Sequence, residues 1–399
     1  MAAKREWFEM EQDGDPVLDA RGLDMTHNSV RFKDGTRLSI GRDSRSLPNL
    51  VRFMHRTIRT GDPAFKIIVA NGRKKVIAAS SLAGYFGTLH AMAALYSRAV
   101  HYSPLLRLFF ECFARHEIRH CILNGPTLQF DGDRIEAEVF GDFLVFLREQ
   151  GESQDTVAQT NNWESISDGN EKRLQRYIES QFEHHDVLIP VDMELFYAKS
   201  CVDESRLSEI ETALAQEAVD DMDALYGREI GGGEHEFPTD FDASQLVKDR
   251  DRLLDNMRKK PSIFGDMVGC VWRIEWSRIG GYYLRVVFLF AGSRNAVSPW
   301  LAGSVGEYWV NTITKGQGQF RYLNHSIRES EDGPWRTWSV TCRDEAKIEA
   351  MMRFFRSMAR RERYVSAKPI KKCKRFGMGR VLKAMRSPPN TGWGWGTGQ

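Results

Sequence analysis

Five consecutive residues, His116-Glu117-Ile118-Arg119-His120, spell the HExxH pattern. On a helix, histidines four apart share one side, where both could hold a zinc ion while the glutamate serves as general base. Glu136 and Glu138 are possible third ligands, and nothing in the sequence selects either. Arg119 argues for the plainer alternative, because it puts a cation in the turn that would face the metal. That alternative is an ordinary helix end with histidines near its last carbonyls. A second constellation is acidic. In the strand-like run VLIPVDMELFY, Asp192 and Glu194 are two residues apart and share a face, where they could bind a divalent metal or act as acid and base. A solvated strand face is the competing reading.

A third set lies in GCVWRIEW and GGYYLRVVFLFA, two runs rich in aromatic and β-branched residues joined by a glycine-containing turn. They predict a β-hairpin over Cys270–Trp276 and Tyr282–Phe290. The polar exceptions Arg273, Glu275 and Arg285 fall at alternate positions, so one face of the hairpin carries all three. Cross-strand ion pairing is the simplest use of such residues. The register of the turn decides whether Glu275 stands opposite Tyr283.

The remaining elements must position these groups. Residues 1 to about 46 are polar and turn-rich and read as a loosely structured start or a small hairpin around RFKDGTRLSI. From Pro48 to Cys121 the apolar spacing is helical, with Ser103-Pro104 as a cap and first turn. A further helix is expected near Ala137–Arg148. The polar stretch at 151–170 reads as a linker between a helical N-terminal region (1–150) and a second domain (171–386), followed by a flexible tail (387–399). Helices are expected next over GNEKRLQRYIESQFEHH, Leu207–Leu225, Ala243–Lys260, Pro299–Thr314 and Asp344–Tyr364, with added strands at QFRYLN and RTWSVTC. The glycine-rich GREIGGGEHEFPTDFD is too acidic to cradle phosphate. From Val187 onward the element order contains β-α-β-β-α-β, the order of a ferredoxin-like layout with an antiparallel sheet and helices on one face. The fold class expected is therefore α+β.

The chain has 399 residues, 42% hydrophobic and 11% aromatic, which suits a globular protein of two domains. No apolar run is long enough for a bilayer, the first residues carry no secretory signal, and six cysteines are scattered without a CxxC pair. A cytoplasmic protein is expected. The net charge is only +2, but the segment Arg353–Arg386 holds thirteen basic residues and one acid, Glu362. Its charge of +12 leaves −10 for the rest, and such asymmetry points to a polyanion partner. Arg353, Arg356, Arg360 and Arg363 are spaced as one stripe on a helix. With Lys371, Lys372, Lys374 and Arg375 they form the expected nucleic-acid surface.

The runs GCVWRIEW, GGYYLRVVFLFAGS, WLAGSVGEYWVNTITKGQGQFRYLN and KRFGMGR together resemble the inovirus-type replication-protein-like family, whose shared core is the YagK/YfjJ C-terminal domain. The resemblance covers about Glu171 to Lys383, and Gly306–Gly318 is its most specific piece. It implies a fold like that of rolling-circle replication initiators of phages and mobile elements. In those, a His-hydrophobic-His strand holds a divalent metal and a helix tyrosine attacks a DNA phosphate. Here Gly281-Tyr282-Tyr283-Leu284-Arg285 stands in that place, so Tyr283 and Arg285 occupy the histidine positions. Ser357 and Arg360 fall where the family's tyrosine and lysine belong, and Tyr364 matches a second, non-attacking tyrosine. Glu275 matches the family's acid after the tryptophan strand. The resemblance therefore implies single-stranded or origin-like DNA as partner; a divalent metal is expected only if the site is active, with Glu275 and the strand-face acids Asp192 and Glu194 as its ligands. The departures imply a chain that binds DNA without nicking it. An active initiator with a non-standard tyrosine and a zinc-dependent hydrolase through His116, Glu117 and His120 are the alternatives.

Overall fold

The computed structural model describes residues 27–40, 44–228, 243–292, 298–324, 339–367 and 373–379. Along the chain come β1 (Ser29–Arg31), β2 (Arg37–Ser39), α1 (Leu47–Arg59), β3 (Phe65–Ala70), β4 (Arg73–Ala78), α2 (Leu89–Ala93), β5 (Val100–Tyr102) and α3 (Pro104–Arg115). Then follow β6 (Gln129–Asp131), β7 (Arg134–Ile135), α4 (Glu136–Ser153), α5 (Thr156–His184), β8 (Val187–Tyr197), α6 (Leu207–Leu225), α7 (Ala243–Met257) and α8 (Pro261–Phe264). The last are β9 (Met267–Ser277), β10 (Gly281–Ala291), α9 (Ser298–Tyr308), β11 (Gly318–Tyr322), β12 (Val340–Thr341), α10 (Glu345–Arg360), β13 (Val365–Ala367) and β14 (Phe376–Met378). The chain is thus a mixture of helices and antiparallel sheets, as the α+β expectation requires. No described helix is long and apolar enough to cross a membrane.

The main sheet runs in the order β11-β8-β10-β9-β14, with β12 also paired to β8, and every pairing is antiparallel. The β9–β10 hairpin forms as the alternation predicts. The Ser277 hydroxyl accepts the Gly280 amide (2.7 Å), and Gly281 turns the chain at φ 64°. One sheet face packs Leu246, Leu253, Phe264, Val305 and Trp309 against Met193, Leu195, Ile274, Val286 and Phe288. The other packs Leu174, Tyr177 and Ile178 of α5 and Met351, Phe355 and Met358 of α10 against Val271, Val287 and Leu289. Helices therefore cover both faces, not one as expected, because α5 and α10 each carry an apolar stripe that the second face buries.

Gly306 to Gly318 locks α9 to the sheet. A Cβ on Gly306 would collide with the Phe320 ring, and one on Gly318 with Trp309 and Thr314. The Trp309 indole donates to the Phe196 carbonyl (3.2 Å), and the Thr314 hydroxyl accepts the Gly318 amide (2.7 Å). Two left-handed residues, Lys315 and Gly316, complete the turn at φ 55° and 87°.

A separate apolar core holds the N-terminal helices, with Phe53, Phe109, Phe113, Phe140 and Phe143 fully buried. Each such ring contributes about 1.5–3 kcal/mol by leaving water. Tyr364 and Val365 belong to this core, and β13 pairs with β5. The region expected as a linker is helix. Only Gln154 and Asp155 separate α4 from α5, a helix of 29 residues, about 43 Å long. Its first half buries Thr160, Glu164 and Ser167 instead of apolar residues, so it carries no hydrophobic periodicity to read. The Trp163 indole donates to the carbonyls of Glu362 and Arg363 (3.2 and 2.9 Å), which ties this helix to the chain leaving α10.

A candidate site on the charged face of the sheet

Register brings the candidate residues into rows. Arg321, Glu194, Arg285 and Arg273 stand side by side across β11, β8, β10 and β9. In the next row Tyr283 is directly opposite Glu275. Asp192 lies two residues along β8 from Glu194, on the same face. Three acids and three arginines thus share a buried sheet face, an arrangement that demands close pairing.

The pairing is complete for the acids nearest the centre. Arg285 holds Asp192 through Nη2 (2.9 Å) and Nε (3.2 Å), the two-toothed geometry of a guanidinium on a carboxylate. Burial opposes the charge of Arg285, yet Asp192 more than compensates and pushes its pKa up. Glu194 receives Arg31 (2.9 Å) and Arg37 (2.5 Å), both delivered by the β1–β2 hairpin that closes over the sheet. Burial works against ionisation of Glu194, but Arg37 and Arg31 outweigh it and hold its pKa at about 2. The same guanidiniums cover the aromatic rings below. Arg31 lies 4.0 Å from the Phe196 centroid and 4.6 Å from that of Tyr283, and Arg37 lies 5.3 Å from Tyr283. Tyr283 is buried, and burial raises its pKa.

The far end of the face is closed by the end of α10. Arg273 donates to the Met358 carbonyl (2.8 Å) and pairs with Glu362 (3.2 Å), which also takes Arg375 (2.7 Å). Glu275 is 3.7 Å from Arg273 and 3.8 Å from Arg361. Those distances allow attraction but not hydrogen bonds, and Glu275 Oε1, Arg273 Nε and Arg361 Nε have no hydrogen-bond partner. Burial raises the pKa of Glu275, but Arg361 and Arg273 bring it below the usual range. His27 packs edge-on to Trp276, with ring centroids 5.9 Å apart. Its pKa falls to about 4, because burial outweighs the pull of Glu275.

These contacts correct several expectations. Asp192, Glu194 and Glu275 do not converge as metal ligands; each faces arginine, and among the described residues no group of three metal-binding side chains gathers. A cation there would displace guanidiniums that already neutralise the carboxylates, so these residues do not fit the group. The HExxH segment is not on an α-helix. The helix α3 ends at Arg115, His116 caps a short 3-10 turn by accepting the Ile118 amide on Nδ1 (3.1 Å), and Glu117 pairs with Arg134 (2.5 Å). Glu136 and Glu138, the candidate third ligands, hold the amides of Ile122 and Leu123 and the ammonium of Lys74. Tyr364 lies past the end of α10 in the N-terminal core, where its carbonyl accepts the Ser103 amide (2.8 Å). The Ser357 hydroxyl is turned back onto the Phe354 carbonyl (2.8 Å).

The basic stripe is only half available. Arg363 is buried beyond the helix and pairs with Glu164 (2.7 Å) and Asp168 (3.5 Å) of α5. Arg360 pairs with Glu171, also of α5. Arg353 and Arg356 remain near half exposed, with loose contacts to Glu349 and Glu171 (both 3.6 Å). Lys374 is exposed and Arg375 is engaged with Glu362. Lys371 and Lys372 lie outside the described residues, as do Lys368, Arg380, Lys383, Arg386 and the 387–399 tail.

Arg31, Arg37, Arg361, Glu362, Glu164 and His27 belong to the network but escape the sequence reading. The only available signal was charge imbalance, because two arginines beside one acid on the hairpin face demand further partners. No family model, curated protein or solved structure matches the chain.

Proposed function

We propose that this chain is a DNA-binding protein built on the sheet of a rolling-circle initiator, with the metal-and-tyrosine chemistry replaced by ion pairs. The reading rests first on Arg285. It stands where the resemblance places a metal-binding histidine, and it is fixed on Asp192 within a covered face. A permanently cationic side chain cannot ligate a metal. The order β11-β8-β10-β9 supports the same reading, since it is the order of a ferredoxin-like β-α-β-β-α-β sheet. Attraction to DNA comes from the positive C-terminal segment together with the outward Arg353 and Arg356.

The test is paired. Purified protein is titrated onto single-stranded DNA with and without chelator, and separately incubated with manganese and resolved on a denaturing gel. Binding that survives chelator without a covalent adduct supports the reading. An adduct lost in Tyr282→Phe or Tyr283→Phe would restore a working nickase.

A further inference from the structure

The β3–β4 hairpin takes no part in the charged face. It is a two-stranded ribbon that pairs with no third strand among the described residues. Asn71 and Gly72 at its tip both have positive φ (53° and 72°), the pattern of a tight type I′ turn. From Phe65 to Ala78 it carries Lys66, Arg73, Lys74 and Lys75 and no acid.

The register sorts these residues by face. Lys66 stands opposite Ile77, Ile68 opposite Lys75, and Ala70 opposite Arg73, so all six share one side. The other side is held down toward its base, while Val69 near the tip is 69% exposed. Phe65 packs on Phe86 and Phe140 with centroids 5.7 and 5.9 Å away, and Lys74 binds Glu138 (2.6 Å) and the Asp133 carbonyl (2.6 Å). The outward side has no such partners. Among the described residues Lys66, Arg73 and Lys75 make no ion pair, and Ile68 and Ile77 are 39% and 42% exposed. Cations alternating with apolar side chains on an exposed two-stranded ribbon match what a nucleic-acid groove presents: phosphates along its edges and base edges with thymine methyl groups on its floor.

We infer that the β3–β4 ribbon enters the major groove of duplex DNA, with Lys66, Arg73 and Lys75 on phosphates and Ile68 and Ile77 over the base edges. The major groove admits a two-stranded ribbon of this width. The inference rests on the DNA-binding reading and adds to it a second contact, for duplex and not for single strand. The chain then joins two parts of one substrate: the ribbon grips paired DNA and the basic C-terminal segment attracts DNA of either form.

The experiment measures affinity of the full chain for a duplex and for one of its strands across a salt series. The triple variant Lys66→Ala/Arg73→Ala/Lys75→Ala is compared with the parent. Expected is a fall of about 2–3 units in the log–log salt slope on duplex, roughly 0.9 per phosphate contact, with the single-strand slope unchanged. If the parent binds both DNAs and the variant keeps the duplex slope, the ribbon inference fails while the DNA-binding reading stands. If the parent binds neither, both fail. Vesicles of phosphatidylserine and phosphatidylcholine form the third arm. Vesicle binding that the variant abolishes, with duplex binding intact, would assign the ribbon to anionic lipid. Aggregation of the variant with an unchanged duplex slope would make the cations mere guards of the strand edges.

Discussion

Arg285 and Asp192, on neighbouring strands of the main sheet, are joined by two hydrogen bonds of 2.9 and 3.2 Å, with Asp192 wholly shielded from water. The value of such a pair shows only when it is broken. Arg285→Ala or Asp192→Asn alone should destabilise the fold by about 3 kcal/mol, because the remaining buried charge loses its two-toothed partner. Arg285→Met combined with Asp192→Leu should cost far less than either single change. Urea unfolding of the three variants gives the comparison, and additive losses would show that the two residues are not coupled.

The helix across residues 156–184 carries a prediction about proteolysis. Thr160, Glu164 and Ser167 are buried, and Trp163 is bonded to the chain after α10. Limited digestion should therefore spare this helix. Rapid cleavage between 156 and 168 in the native protein would contradict the packing described.

Arg363 gives a sharper test of the same junction. Its removal takes the 2.7 Å partner from buried Glu164 and leaves only the weaker pull of Arg59, so Arg363→Ala should cost about 3 kcal/mol and leave DNA affinity per folded molecule unchanged. Arg353→Ala with Arg356→Ala should do the reverse, with stability preserved and the salt slope of DNA binding reduced by up to about 2 units. Denaturation curves and a salt titration separate the two outcomes.

His27 makes the fold sensitive to acid. Its pKa falls from 6.5 to about 4 on folding, chiefly through burial, although Glu275 pulls the other way. The unfolded chain therefore binds a proton at higher pH than the folded one. Stability contributed by neutral His27 is present above about pH 6.5, declines as pH falls, and is lost by about pH 4. The loss amounts to about 3 kcal/mol. The difference in unfolding free energy between the parent and His27→Gln, followed from pH 7.5 to 4, should shrink by that amount. A difference constant with pH would mean that His27 titrates normally.

Alternation and helical spacing made the β9–β10 hairpin, the order of elements after Val187 and the N-terminal helices legible. In each, apolar residues mark the buried side. The same rule hid α5, whose buried positions in its first half are threonine, serine and glutamate. It also misassigned Arg363, which continues the arginine spacing of α10 although the helix ends at Arg360. Spacing shows which residues share a face but not what arrives above it. Nothing local to the β1–β2 hairpin says that Arg31 and Arg37 will travel to Glu194, more than 150 residues away. The shared face of Asp192 and Glu194 is readable, whereas its closed, arginine-paired state is decided by tertiary contacts.

The junction of Glu164 with Arg363 also sets an order of events during synthesis. The two residues are 199 positions apart, and Tyr364 and Val365 complete the core of the N-terminal helices. At about 5–20 residues per second, a ribosome needs roughly 10–40 s after making Glu164 to deliver those partners. For that interval the N-terminal helices have an open flank, and Glu164 lacks its 2.7 Å partner. Packing on that flank of the N-terminal core is therefore completed only once Tyr364 and Val365 have been made.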